Sequence, residues 1–108
     1  MAKTSDDEKK DGTVRIKNEL YDAMLSARLS AAMLTAFLYI VRKTIGFNKI
    51  EDKISISKMA SETGFSRQAM TGAVHDLEQK GMISSGARAR GRLPRFRVND
   101  PSYWDRDP

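Results

Sequence analysis

Between Ile54 and Ile83 the chain reads ISISKMASETGFSRQAMTGAVHDLEQKGMI, and the spacing of its capping, small and apolar residues leaves few folds open. Ser57 is placed to cap a short helix running to about Thr63, and Gly64 supplies the left-handed or open conformation that ends it. Phe65 then points inward, and Ser66 caps a second helix that Gly81 terminates. Ile56, Met59, Ala60, Gly64, Met70, Ala73 and Val74 fall where two helices crossing at a tight turn need small or apolar side chains. With a strand after Gly81, this is the pattern of a helix-turn-helix with a wing.

The flanking segments supply the rest of such a fold. Ile16, Leu20, Met24 and Leu25 share one face of a helix expected from near Lys17 to near Arg28. Ser30 caps a longer helix from Ala31 to about Lys43, with Leu34, Phe37, Leu38 and Val41 as its core stripe. Arg42 and Lys43 suit the negative end of its dipole, and Gly46 stops it. Phe47 and Ile50 are expected to anchor a polar connector. Ile54 and Ile56 alternate with Ser55 and Ser57 as a short strand. Met82 to Ser85 and Leu93 to Val98 form a hairpin around a turn at residues 86–92. In its second strand Phe96 and Val98 face one side and Arg95 and Arg97 the other. Pro94 cannot donate a ladder hydrogen bond, which predicts an edge position for that strand. The fold class is therefore mainly α with a small β-wing, a winged helix-turn-helix.

With 108 residues the chain has the length of one domain. Residues 1–12 read as a disordered polar tail, residues 13–98 as the winged-helix domain, and residues 99–108 as a C-terminal tail. Tyr103 and Trp104 in that tail are expected to dock back on the domain, contact with a second subunit being the other reading. There is no cysteine and a single histidine, His75, which excludes disulfides and a thiolate or histidine-rich metal site. No apolar run approaches the roughly 20 residues that span a bilayer, and the charged N-terminus is no signal peptide. These features predict no membrane partner and suit a reducing cytosol.

Charge points to the partner. The net charge is +5, but residues 13–98 hold 15 basic and 7 acidic groups between two acidic tails. A basic centre of this kind favours a polyanion. On the second helix of the pair, Met70, Ala73, Val74 and Leu77 form the buried face, while Arg67, Gln68, Thr71, His75 and Glu78 lie outside. Gln68 can pair with N6 and N7 of adenine, Arg67 can read guanine or grip a phosphate, and the Thr71 methyl suits thymine. His75 reaches the backbone one turn on. Ser66 and the free amides of the first turn can hold a phosphate, and Ser57 opens the first helix as a further contact. Glu78 reads as a surface charge only. From Ala87 to Val98 the chain runs ARARGRLPRFRV, five arginines and no acid: Arg88, Arg90, Arg92, Arg95 and Arg97. Such density suits phosphate contact or insertion into a narrow minor groove. The candidate ligand is double-stranded DNA. With no Gly-rich phosphate loop, paired nucleophile and base or metal-ligand cluster, neither catalysis nor a cofactor is expected.

The segments GTVRIKNELYDAML, IVRKTIGFNK and EDKISISKMASETGFSRQAMTGAVHDLEQKGMI resemble the N-terminal domain of bacteriophage replication proteins of the lambda O type. The resemblance covers about two-thirds of the chain, and the RKT-G-x-NK run followed by acids and I-S-x-S is its most specific part. It implies a winged helix that binds repeated sites in a phage replication origin, with two subunits on each near-palindromic repeat. It places Ser66, Arg67, Gln68 and Thr71 on the DNA-reading helix and gives Thr13, Arg15 and Lys17 a backbone contact. Members of that family continue into a second domain that engages helicase-loading proteins. This sequence ends at Pro108, which fits either an excised DNA-binding domain or a short phage or mobile-element protein. Two other readings use the same module: a transcriptional regulator, and a winged helix that docks proteins.

Overall fold

The computed structural model describes residues 12–86 and 93–104. Among these residues there are four α-helices and a three-stranded antiparallel sheet: α1 (Asn18–Ser26), α2 (Ala31–Lys43), β1 (Glu51–Lys53), α3 (Ile56–Thr63), α4 (Arg67–Gln79), β2 (Ile83–Ser85) and β3 (Arg95–Val98). The sheet order is β1-β3-β2. This is the winged helix-turn-helix that the sequence pattern predicts.

The central helix α2 starts where Ser30 accepts a hydrogen bond from the Met33 amide at 3.2 Å, and Arg42 and Lys43 occupy its last turn. It buries Met33, Ala36, Phe37, Ile40 and Val41. The expected stripe is half right, because Leu34 and Leu38 are about 40% exposed, at 38% and 41%. All of the residues from Ala31 to Val41 except Thr35 are hydrophobic, so the i, i+3, i+4, i+7 rule fits more than one face. Packing against α4 and the sheet chooses between them. Fully burying Phe37 and Ile40 contributes about 1.5–3 kcal/mol each. Likewise in α1, Leu20, Ala23 and Met24 are buried, but Leu25 is 70% exposed.

Gly46 does not stop α2. The helix ends earlier at Thr44, which is fully buried and donates its hydroxyl to the Ile40 carbonyl at 2.7 Å. Satisfying that hydroxyl locally lets a polar side chain sit in the core. A 3-10 turn follows at Ile45–Phe47 and closes on Asn48, whose φ is 57°. Phe47 and Ile50 are exposed rather than anchoring, although Arg42 stacks over the Phe47 ring at 4.7 Å.

The first strand also lies earlier than the Ile/Ser alternation suggests. Glu51–Lys53 pair with β3, and Ile54 is buried just beyond, its amide donating to the Pro94 carbonyl. Helix α3 therefore begins two residues sooner. Ser55, not Ser57, is its cap and accepts from the Lys58 amide at 3.1 Å, leaving Ser57 exposed in the first turn. Both serines are competent caps, and burying Ile54, Met59 and Ala60 together selects the earlier one. At the other end Gly64 takes φ 82°, and Phe65 turns in to be partly buried.

Strand β3 is central rather than at an edge. Phe96 is buried and Arg95 and Arg97 are exposed, as alternation predicts. Pro94 sits just before the ladder, where only its carbonyl is used. Its missing N–H therefore costs the sheet nothing. After β3, Asn99 donates its side-chain amide to the Gly81 carbonyl at 2.9 Å, and Pro101–Tyr103 form a 3-10 turn. Trp104 is buried, its indole donating to the Asn99 carbonyl and its ring meeting Phe37 edge-on at 5.6 Å. Of the aromatic pair only Trp104 docks, since Tyr103 is 75% exposed.

Candidate nucleic-acid interface

Helix α4 is held from below and behind. Ser66 accepts from the Ala69 amide at 3.0 Å, which sets the start of α4, while Met70, Ala73, Val74 and Leu77 seat it against the core. The amides of Arg67 and Gln68 have no acceptor within the helix, as first-turn positions require. At the far end the Gly81 amide donates to Glu78 and the Met82 amide to Leu77, with Gly81 at φ 76°. This reciprocal pair, with Met82 and Leu77 both buried, is a Schellman close.

That seating leaves Arg67, Gln68, Thr71 and His75 exposed in one row along α4. A Cβ built on Gly72 would meet nothing within 4 Å, so the middle of the row is open. Glu78 is not an idle charge: it accepts the Ser85 hydroxyl at 2.6 Å and ties α4 to β2. Sequence reasoning missed this link because the two residues share no periodic pattern.

On the outer face of the sheet, Lys53 and Arg95 stand opposite one another, as do Glu51 and Arg97. The Arg95 guanidinium lies 3.5 Å from Glu51, which partly neutralises it, while Arg97 makes no ion pair among the described residues. Arg88, Arg90 and Arg92 lie outside the described residues. Ser57 is exposed at the start of α3 beside Lys58, a cation that the sequence pattern did not single out. The signal was present, since Lys58 falls in the first turn of the helix whether Ser55 or Ser57 caps it. Arg15 and Lys17 line a separate groove with Leu20, Ile45, Val98 and Asp100, away from the α4 row. The Asp100 carboxylate there is held below its usual range by the Ser102 amide it accepts.

Helices α2 and α3 are joined by the Tyr39 hydroxyl, which donates to Glu62 at 2.5 Å. Burial and this bond push the Tyr39 phenol up, and the same bond holds the Glu62 carboxyl below its ordinary value. Among the described residues no cluster of His, Asp and Glu could hold a metal ion, and no helix is long and apolar enough to cross a membrane.

A capped second helix with an exposed polar row, a tight glycine turn before it and a three-stranded sheet behind it define the chain as a winged helix-turn-helix protein. The family model described as bacteriophage replication protein O matches residues 6–97, and the chain belongs to that family. Its role therefore lies in phage replication, as the resemblance implied. No curated protein matches the chain.

Proposed function

We propose that the protein binds double-stranded DNA sequence-specifically at repeats of a phage-type replication origin, as a homodimer on each repeat, and carries out no catalysis itself. The unit responsible is the winged-helix segment 13–98. The observation that carries this reading is the exposed row of Arg67, Gln68, Thr71 and His75 on a helix whose opposite face is buried. An α-helix so presented fits the major groove, where its first turns meet base edges. Family membership supports a replication site over other targets. The arginine-rich run from Arg88 to Arg97 supplies sequence-independent grip.

The test is selection of bound duplexes from a random pool, followed by titration of the recovered site and a scrambled duplex across a salt series. A recovered twofold site bound more tightly than its scramble supports the proposal. Gln68→Ala should then cost about 1–3 kcal/mol of discrimination at the base pair it reads. Equal affinity for both duplexes would refute specific reading. Sites clustering in an origin favour replication, and single sites at promoters would instead indicate a transcriptional regulator.

A further inference from the structure

A cleft of about 220 Å³ opens between the last turn of α2, β1 and the start of α3, and it is lined by three lysines, Lys43, Lys53 and Lys58, with Tyr39, Asp52 and Leu93 among its other walls. We propose that this cleft is a separate seat for the sugar-phosphate backbone of a DNA duplex, distinct from the reading helix and from the arginine-rich run. The inference rests on the DNA-binding reading and adds a site to it.

Three ammonium groups around one small cleft repel each other unless an anion joins them. The nearby carboxylates are already engaged. Asp52 lies 3.6 Å from the Lys49 ammonium and accepts the Lys53 amide at 2.9 Å. Glu62, which also attracts Lys43 and Lys58, takes the Tyr39 hydroxyl. None of the three lysines makes an ion pair among the described residues. The Lys43 ammonium is kept in place 5.3 Å above the Tyr39 ring. Lysines are point charges on flexible stems, which suits phosphates on a backbone rather than the fixed geometry of a base edge.

Position makes a duplex the fitting polyanion. Helix α3 packs directly on α4, and in a helix-turn-helix the first helix crosses the backbone while the second enters the groove. Leu93, on the cleft wall, is the residue through which the arginine-rich run leads into β3. The cleft thus borders α3, which packs on α4, and Leu93, which precedes β3, so a duplex held against α4 has its backbone close to the lysines.

The experiment compares the full chain with Lys53→Ala/Lys58→Ala, Lys53→Glu/Lys58→Glu and Lys53→Arg/Lys58→Arg on a duplex of arbitrary sequence, across a salt series. Phosphate contact needs no target site, so arbitrary duplex suffices. The alanine pair should weaken binding and reduce the log–log salt slope by about 1.8, at about 0.9 per lost contact. The glutamate pair should weaken it further, and the arginine pair should bind like the parent. An unchanged affinity and slope for the alanine pair, beside a parent that binds normally, would overturn the cleft assignment alone. An arginine pair as weak as the alanine pair would overturn it too, because a phosphate seat accepts either cation. A parent chain with no salt-dependent duplex binding would defeat the DNA reading and the cleft with it.

Discussion

Gly81→Ala should destabilise the protein more than Gly64→Ala, and the difference should measure how firmly the Trp104 segment is docked. Both glycines have positive φ, 76° and 82°, where an L side chain costs roughly 1–2 kcal/mol. Their surroundings differ. A Cβ at Gly64 meets nothing within 4 Å, whereas one at Gly81 would sit 2.5 Å from the Tyr103 carbonyl oxygen. That contact is relieved only by moving the 101–104 turn, which carries Trp104 against Phe37. Removing a buried Trp costs about 3–5 kcal/mol, so forfeiting part of its packing puts Gly81→Ala at about 2–5 kcal/mol. At about 4–8 °C per kcal/mol, Gly64→Ala should lower Tm by roughly 4–16 °C and Gly81→Ala should exceed it. Urea denaturation of both variants, alone and with Trp104→Ala, gives the comparison. With the segment already released by Trp104→Ala, the cost of Gly81→Ala should fall to that of Gly64→Ala. Equal costs of the two alanines in the parent chain would refute the reasoning.

Ser55→Ala should cost about 1 kcal/mol of stability through the lost cap, whereas Ser57→Ala should leave the denaturation midpoint within about 0.5 kcal/mol of the parent. The Glu62 carboxyl is held below its ordinary value of 4.5 by the Tyr39 hydroxyl. Its contribution to stability is therefore complete above that value and is lost as pH falls through the lower folded value. An NMR pH titration should show the Glu62 carboxyl moving up toward its ordinary value in Tyr39→Phe, while an unmoved titration would mean that the hydroxyl is not the cause.

The helix-turn-helix was legible because its constraints are local. Capping serines, positive-φ glycines and apolar spacing all act within one or two turns, and Ser66, Gly64 and Gly81 stand where the pattern puts them. What the pattern could not resolve was choice among equivalent local solutions. Ser55 and Ser57 cap equally well in isolation, and α2 offers apolar residues on more than one face. Long-range contacts decide both cases: the Ile54 amide with Pro94, and the meeting of Phe37 with Trp104. Strand order is of the same kind, since β1 pairs with β3 across more than forty residues and makes it central. Of the candidate site, the α4 row follows directly from period 3.6. The lysine cleft was not legible, because Lys43, Lys53 and Lys58 come from three elements and meet only in the folded chain.

The corner between α4 and β2 is closed by four bonds: Gly81 and Met82 amides onto Glu78 and Leu77, Ser85 onto the Glu78 carboxylate, and Asn99 onto the Gly81 carbonyl. Such a corner behaves as a set-square rather than a hinge. On the proposed DNA reading, groove surfaces meeting α4 and β2 are then held at one offset, because changing it breaks these bonds together. Adaptation to a wider or more twisted ligand would have to come from the ligand, and its stiffness would enter the binding energy at positions no side chain reaches.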